Sequence, residues 1–74
     1  MTDASVATIT VNGAAEPFVA AGTLTTLLSI KGIDPDARGV AVALNGRVVP
    51  RAAWADTPLA AGDAVEIVRA RPGG

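Results

Sequence analysis

The chain has 74 residues with no cysteine and no histidine, and its formal net charge is −1 at pH 7. A chain of this length forms a single domain. The missing residue types exclude disulfides, thiolate nucleophiles and zinc–thiolate sites, and they remove the most common general base. We therefore expect no metal site and no self-contained catalysis. Without a positive net charge, we also expect no nucleic-acid binding.

Half of the residues are apolar, but no segment approaches the run of about 18 apolar residues that a membrane span needs. The N-terminal residues Met1-Thr2-Asp3 lack the basic and then apolar pattern of a signal peptide. We expect a cytoplasmic protein that makes no contact with membranes.

The first predicted element is a β-hairpin. Ile9 and Val11 alternate with threonines, which is the period of a half-buried strand. Asn12-Gly13 follows, and because both residues accept a positive φ, the pair favours a tight two-residue turn. A return strand is predicted around residues 16–19, with Phe18 as its core anchor.

A short helix is predicted next. Thr23 is a suitable N-cap residue. Leu24, Leu27 and Leu28 follow at the i, i+3, i+4 spacing of an apolar helix face. Gly32 can end the helix in a left-handed conformation.

A strand with two unequal faces is predicted over residues 40–44, where valine and leucine alternate with Ala41 and Ala43. Asn45-Gly46 predicts a second tight turn, which leads into a strand at residues 48–49. The pattern therefore predicts a second hairpin, whose first strand has large side chains on one face and small ones on the other.

The last part of the chain predicts one helical turn and one strand. Trp54 lies in an irregular stretch between two prolines, where a single helical turn is expected. Val65 and Ile67 mark the core face of a final strand, and Glu66 and Val68 point the opposite way.

The element order is strand, strand, helix, strand, strand, strand. It predicts an α+β fold in which one helix packs on a mixed sheet of about five strands. We expect this domain to span residues 1–70. A flexible tail is expected over residues 71–74, because Pro72, Gly73 and Gly74 favour neither helix nor strand.

Conventional catalytic candidates are weak in this chain. The serines and threonines have no histidine to activate them. Asp34 and Asp36 flank a proline, a pattern more typical of a solvated turn than of a cation site. No phosphate-binding glycine loop is present, so the chain is not expected to bind ATP unaided.

The remaining candidate is the C-terminal glycine. A terminal carboxylate can attack the α-phosphate of ATP to give an acyl-adenylate, which then reacts with a sulfur or another nucleophile. Glycine suits this chemistry because it lacks a Cβ and can enter a narrow site on a partner. A Gly-Gly ending alone is a weak signal, but it is stronger directly after the last core strand of this fold.

The block Val49-Pro50-Arg51, followed by Trp54 and Thr57-Pro58-Leu59, closely resembles the thiamine-biosynthesis sulfur carrier family, ThiS. Residues 9–13, 23–28, 39–51 and 62–70 also fit, so the resemblance covers nearly the whole chain. It implies the ubiquitin-like β-grasp fold, in which the first and last strands pair in parallel at the sheet centre.

The resemblance also implies a mechanism in which the chain is a protein cosubstrate and not an enzyme. A ThiF-type adenylyltransferase would activate Gly74 with ATP, a cysteine desulfurase route would supply sulfur, and thiazole synthase would take it from the thiocarboxylate. Gly73 and Pro72 would thread into the partner, and the chain itself would bind no cofactor. Arg71-Pro72 stands where the family has a glycine-rich run, which shortens the flexible part of the tail.

A carrier also needs a surface that contacts its partners. Ala41 and Ala43 share one strand face and Val68 lies opposite the core residues of its strand, so these three predict a small apolar docking patch. Arg69 and Arg71 are predicted to complement an acidic partner surface or to steer the tail towards ATP phosphates.

Four other functions stay open at this point. The small subunit of molybdopterin synthase shares the fold, the tail and the sulfur chemistry, although the block around Trp54 argues against it. A carrier for another sulfur pathway, a ubiquitin-like modifier that forms isopeptide bonds, and a non-covalent interaction domain are the other three.

Overall fold

The computed structural model describes residues 7–18 and 22–70. This part of the chain contains five strands, one α-helix and one 3₁₀-helix. In chain order they are β1 (Thr8–Val11), β2 (Ala14–Pro17), α1 (Leu24–Ile30), β3 (Val40–Leu44), β4 (Arg47–Val49), the 3₁₀-helix (Arg51–Asp56) and β5 (Ala64–Arg69). The predicted tail at residues 71–74, and with it the predicted domain boundary, lies outside the described residues.

The strands form one mixed sheet in the order β2-β1-β5-β3-β4. β1 and β5 are parallel, with Val11 beside Val65, and the other neighbours are antiparallel. The buried leucines of α1 pack against the inward side chains of the sheet. This arrangement confirms the predicted α+β fold of the ubiquitin-like β-grasp type.

Both Asn-Gly pairs form tight hairpin turns. The φ angles are 51° and 85° at Asn12 and Gly13, and 52° and 84° at Asn45 and Gly46, as in a type I′ turn. Val11 pairs with Ala14 directly across the first turn. The return strand therefore begins at Ala14 and ends at Pro17, earlier than the predicted residues 16–19, of which residue 19 lies outside the described part.

The helix α1 confirms the predicted apolar face. The Thr23 Oγ1 atom accepts a hydrogen bond from the N–H of Thr26 (3.3 Å), and the Thr26 Oγ1 atom accepts one from the N–H of Thr23 (3.1 Å). This reciprocal pair is a capping box. Gly32 follows the helix in the predicted left-handed conformation. No helix in the described part of the chain is long and apolar enough to cross a bilayer.

Trp54 anchors the 3₁₀-helix in the core. It is 2% exposed, and its Nε1–H donates to the carbonyl of Val49 (2.8 Å). The Arg51 guanidinium lies 5.5 Å from the ring centroid and donates to the carbonyls of Asp36 and Ala37. The core consists of Ile9, Val11, Leu24, Leu27, Leu28, Ile33, Val42, Trp54, Leu59, Val65 and Ile67.

Candidate functional site at the end of the last strand

Strand β5 lies inside the sheet and leads directly to the C-terminal segment. Val68, Arg69 and Ala70 are the last three residues that the structure describes, and they are called the tail root below. The predicted covalent residue Gly74, its companions Gly73 and Pro72, and Arg71 lie outside the described residues. The structure thus describes the base from which the C-terminal segment starts.

Gly39 fixes the end of the tail root. Its carbonyl accepts a hydrogen bond from the N–H of Ala70 at 2.7 Å. The φ of Gly39 is 77°, and a Cβ added there would lie 3.3 Å from the Cβ of Ala70. Because a side chain would meet both a strained backbone and this close contact, glycine is the residue that fits. The sequence pattern did not predict this contact of Gly39 with the tail root.

The open face is the sheet surface that points away from α1 around Ala41, Ala43, Val48 and Val68. Ala41 pairs with Val68 in the antiparallel β3–β5 register. Ala43 pairs with Glu66 on one side and with Val48 on the other. Directly paired residues point to the same face of a sheet, so the structure brings the three predicted docking residues together. Val48, which is 77% exposed, extends this face and was missed, although it alternates with a core-side neighbour.

Arg69 points to the other side of the sheet. It lines a cleft whose polar rim also includes Asn12, Glu16 and Lys31. Lys31 and Glu16 form an ion pair. The apolar lining consists of Val11, Ile33 and Ile67. The two predicted partner contacts, Val68 and Arg69, therefore lie on opposite sides of the tail root, one apolar and one charged.

Both turn asparagines hold β5 through their side chains. The Asn12 Nδ2–H donates to the carbonyl of Ile67 (3.2 Å), and its Oδ1 accepts from the N–H of Ile67 (2.8 Å). Asn45 Oδ1 accepts from the N–H of Ala64 (2.9 Å) at the start of β5. These bonds fix the strand that carries the tail root, and the turn pattern alone did not predict them.

The two carboxylates considered for cation binding lie in a turn. Asp34 Oδ1 accepts a hydrogen bond from the N–H of Asp36 (2.9 Å), which is typical of a solvated Asx turn. Within residues 7–18 and 22–70, no group of three or more acidic side chains is placed to hold a metal ion.

Comparisons with known proteins agree with the geometry. The ThiS family model matches residues 9–74. The crystal structure of the thiamine biosynthesis protein (ThiS) from Geobacter metallireducens is 36% identical, with a TM-score of 0.75, and the match covers 90% of this chain and 99% of that one. For an NMR solution structure of a thiamine biosynthesis protein from Geobacter metallireducens, the identity is 37%, the TM-score 0.70, and the coverage 90% and 87%. No curated protein gave a match. With a family model that spans nearly its whole length and a shared fold, the chain belongs to the ThiS family.

Proposed function

We propose that the chain is a cytoplasmic sulfur carrier protein of thiamine biosynthesis and that the carboxylate of Gly74 is its covalent site. The observation that carries this proposal is the ThiS family match, which runs through Gly74. Both similar structures are of thiamine biosynthesis proteins. The composition supports a terminal site as well, because the chain has neither cysteine nor histidine to supply a side-chain nucleophile or base.

The proposed chemistry replaces one oxygen of the Gly74 carboxylate with sulfur. A carboxylate oxygen attacks the α-phosphate of ATP on a ThiF-type adenylyltransferase, and pyrophosphate leaves. The terminal sulfur of a persulfide formed by a cysteine desulfurase route then attacks the carbonyl carbon of the acyl-adenylate, and AMP leaves. A thiol cleaves the S–S bond of the resulting acyl persulfide, which releases the thiocarboxylate and leaves the thiol in a disulfide. The resulting thiocarboxylate gives its sulfur to the thiazole ring on thiazole synthase, and the carrier returns to its carboxylate form.

In this proposal the chain's own contribution is to present its C-terminal glycine to the partner enzymes. Strand β5 is held inside the sheet, and Gly39 holds Ala70 four residues before Gly74. Gly73 and Gly74 carry no Cβ, so they can enter a narrow ATP site, and Pro72 restricts φ just before them. A firm base followed by two unhindered residues suits a carrier that docks on two different enzymes.

We further propose that the open face contacts the adenylyltransferase. Val68 and Val48 are 63% and 77% exposed, and they lie on one sheet face with Ala41 and Ala43. Exposed apolar side chains grouped beside a reactive segment suit a transient interface. Arg69, on the other side of the tail root, and Arg71 would contact acidic groups of the same partner.

The test is chemical trapping of the thiocarboxylate. The full chain is incubated with ATP, a ThiF-type adenylyltransferase and sulfide, and is then treated with iodoacetamide and mapped by mass spectrometry. Because the chain has no cysteine, a thiocarboxylate would be its single strongly nucleophilic sulfur. We expect ATP-dependent alkylation at Gly74. A chain with one residue added after Gly74 is the control, and it should keep its Trp54 fluorescence while losing the label.

The same experiment separates the alternatives. ATP-dependent labelling at Gly74 followed by sulfur transfer to thiazole synthase supports the thiamine carrier. Transfer only to a molybdopterin acceptor, or conjugates on lysines of other proteins, would reassign the pathway. If no label appeared with an adenylyltransferase that is active on another ThiS protein, a non-covalent interaction domain would be the remaining interpretation.

A further inference from the structure

The two Asn-Gly turns place reactive asparagines at both hairpins. In an Asn-Gly sequence the backbone nitrogen of glycine can attack the asparagine Cγ, because glycine has no Cβ to hinder the five-membered ring. A solvent base takes the backbone N–H proton, Nδ2 takes a proton from water, and the Cγ–Nδ2 bond breaks so that ammonia leaves. Water then opens the succinimide to aspartate or isoaspartate. No oxidant, reductant or enzyme is needed.

The two sites have closely similar local sequences. Val11-Asn12-Gly13 and Leu44-Asn45-Gly46 each place an apolar residue before the asparagine, and both asparagines adopt φ near 50°. Any difference in their reactivity in the folded chain must therefore come from their contacts. Asn12 and Asn45 can therefore be compared directly within one chain.

Asn12 is held by the backbone of the central sheet. Its side-chain amide makes both hydrogen bonds to Ile67, one as donor and one as acceptor, and both bonds are partly buried. The N–H of Asn12 also donates to the carbonyl of Val65 (2.9 Å). The amide thus continues the parallel β1–β5 pairing beyond the last paired residues, Val11 and Val65. Turning Cγ towards Gly13 requires that this pairing open.

Asn45 is held less firmly. Its Nδ2–H donates to Oδ1 of Asp63 (3.0 Å), and its Oδ1 accepts from the N–H of Ala64. Both bonds are exposed to solvent, and one of them ends on a side chain. The N–H of Asn45 donates to the carbonyl of Ala64 (2.7 Å), so the backbone of each asparagine is bonded to β5 and the two sites differ in their side-chain bonds. Releasing the Asn45 amide breaks two solvent-exposed bonds, one of them to the Asp63 side chain.

We propose that Asn45 is the deamidation site of the folded protein and that Asn12 is protected until the β1–β5 pairing opens. Conversion at Asn12 also weakens the pairing once it closes again. Aspartate has only acceptors, so a carboxylate oxygen would face the Ile67 carbonyl in place of the Nδ2–H donor. At Asn45 the new carboxylate would face Asp63, which is held in place by the N–H of Ala60 (2.7 Å).

The test follows both sites in one sample. The full chain is kept at mildly alkaline pH in buffer and, in parallel, in urea that unfolds it, and peptide mapping measures aspartate and isoaspartate at each position over time. In buffer we expect Asn45 to convert at least about tenfold faster than Asn12, because amides that need a larger opening are protected more. In urea the two rates should agree within about twofold, since the folded-state contacts are gone.

A product-mimicking pair gives a second measurement. Asn12→Asp should lower the urea midpoint and speed amide hydrogen exchange at Ile67, whereas Asn45→Asp should speed exchange at Ala64 and leave Ile67 unchanged. Equal conversion of the two asparagines in buffer would overturn the proposal. Faster conversion of Asn12, or an Asn12→Asp chain with normal exchange at Ile67, would also overturn it.

Discussion

The two faces of the sheet use alternate residues of the same strand for different purposes. On β5, Val65 and Ile67 are 1% and 9% exposed and pack under α1, whereas Val68 is 63% exposed on the open face. Strand period two makes this division possible within six residues. Folding therefore depends on the face under α1, and the apolar side chains of the open face are free to contact a partner.

The buried and exposed valines of the sheet contribute differently to the free energy of unfolding. A valine moved fully out of water stabilises the fold by roughly 1.5–3 kcal/mol, and an exposed one contributes little. A domain of this size has a total stability of only about 5 kcal/mol. Val65 is therefore needed for folding, whereas Val68 and Val48 contribute little to the stability of the free domain.

The largest effect is expected from two matched valine truncations on β5. Val65→Ala should lower the free energy of unfolding by about 2 kcal/mol, through lost burial and a residual cavity. Val68→Ala should change it by less than about 0.5 kcal/mol, as is usual at the surface. Urea unfolding followed by Trp54 fluorescence measures both. Equal losses would contradict the division of the two faces.

The next-largest effect concerns docking, for which the exposed Val68 should matter although it contributes little to stability. Val68→Asp should lower kcat/KM for adenylation by about tenfold, because a carboxylate placed beside Ala41 must be desolvated when the partner docks. Ile30→Asp is the control, since Ile30 is also an exposed large apolar residue, at 60%, but lies on α1. Steady-state adenylation at fixed ATP compares the two variants. A similar loss in Ile30→Asp would remove the open face from the interface.

Local patterns predicted most of the fold. The alternation on β3 and β5, the three leucines of α1 and the two Asn-Gly turns each rest on neighbours within a few residues. The start of β2 was placed too late because alanines are poor strand formers. The two-residue turn overrides that preference by pairing Val11 with Ala14.

Contacts between distant residues were not predictable in the same way. Asn12 and Ile67 are 55 positions apart, and Gly39 meets Ala70 only because β3 and β5 are neighbours. The parallel pairing of β1 with β5 came from the family resemblance and not from periodicity. The alternation does place Val68 and Arg69 on opposite sides of β5, but only the structure shows what lies beside each of them.

A third prediction tests the tail root by itself. Gly39→Ala and Gly46→Ala should each cost about 1 kcal/mol of stability, because both positions have positive φ. Only at Gly39 would the new Cβ meet Ala70, whereas nothing lies within 4 Å at Gly46. Gly39→Ala should therefore slow adenylation by about fivefold through misplacement of the C-terminal segment, and Gly46→Ala should not. If the two variants were adenylated at equal rates when compared at the same folded fraction, the position of the tail root would have no effect on adenylation.

The smallest effect is expected from the charged side of the tail root. Arg69→Glu combined with Arg71→Glu should slow adenylation by about threefold at low salt, because long-range attraction to an acidic partner is lost. The difference should shrink at about 1 M salt, where the Debye length falls to about 3 Å. Arg47→Glu on the edge strand β4 is the control, and it should leave the salt dependence unchanged. If the double variant showed the same loss at every salt concentration, Arg69 and Arg71 would act in the original chain through short-range contacts and not through steering.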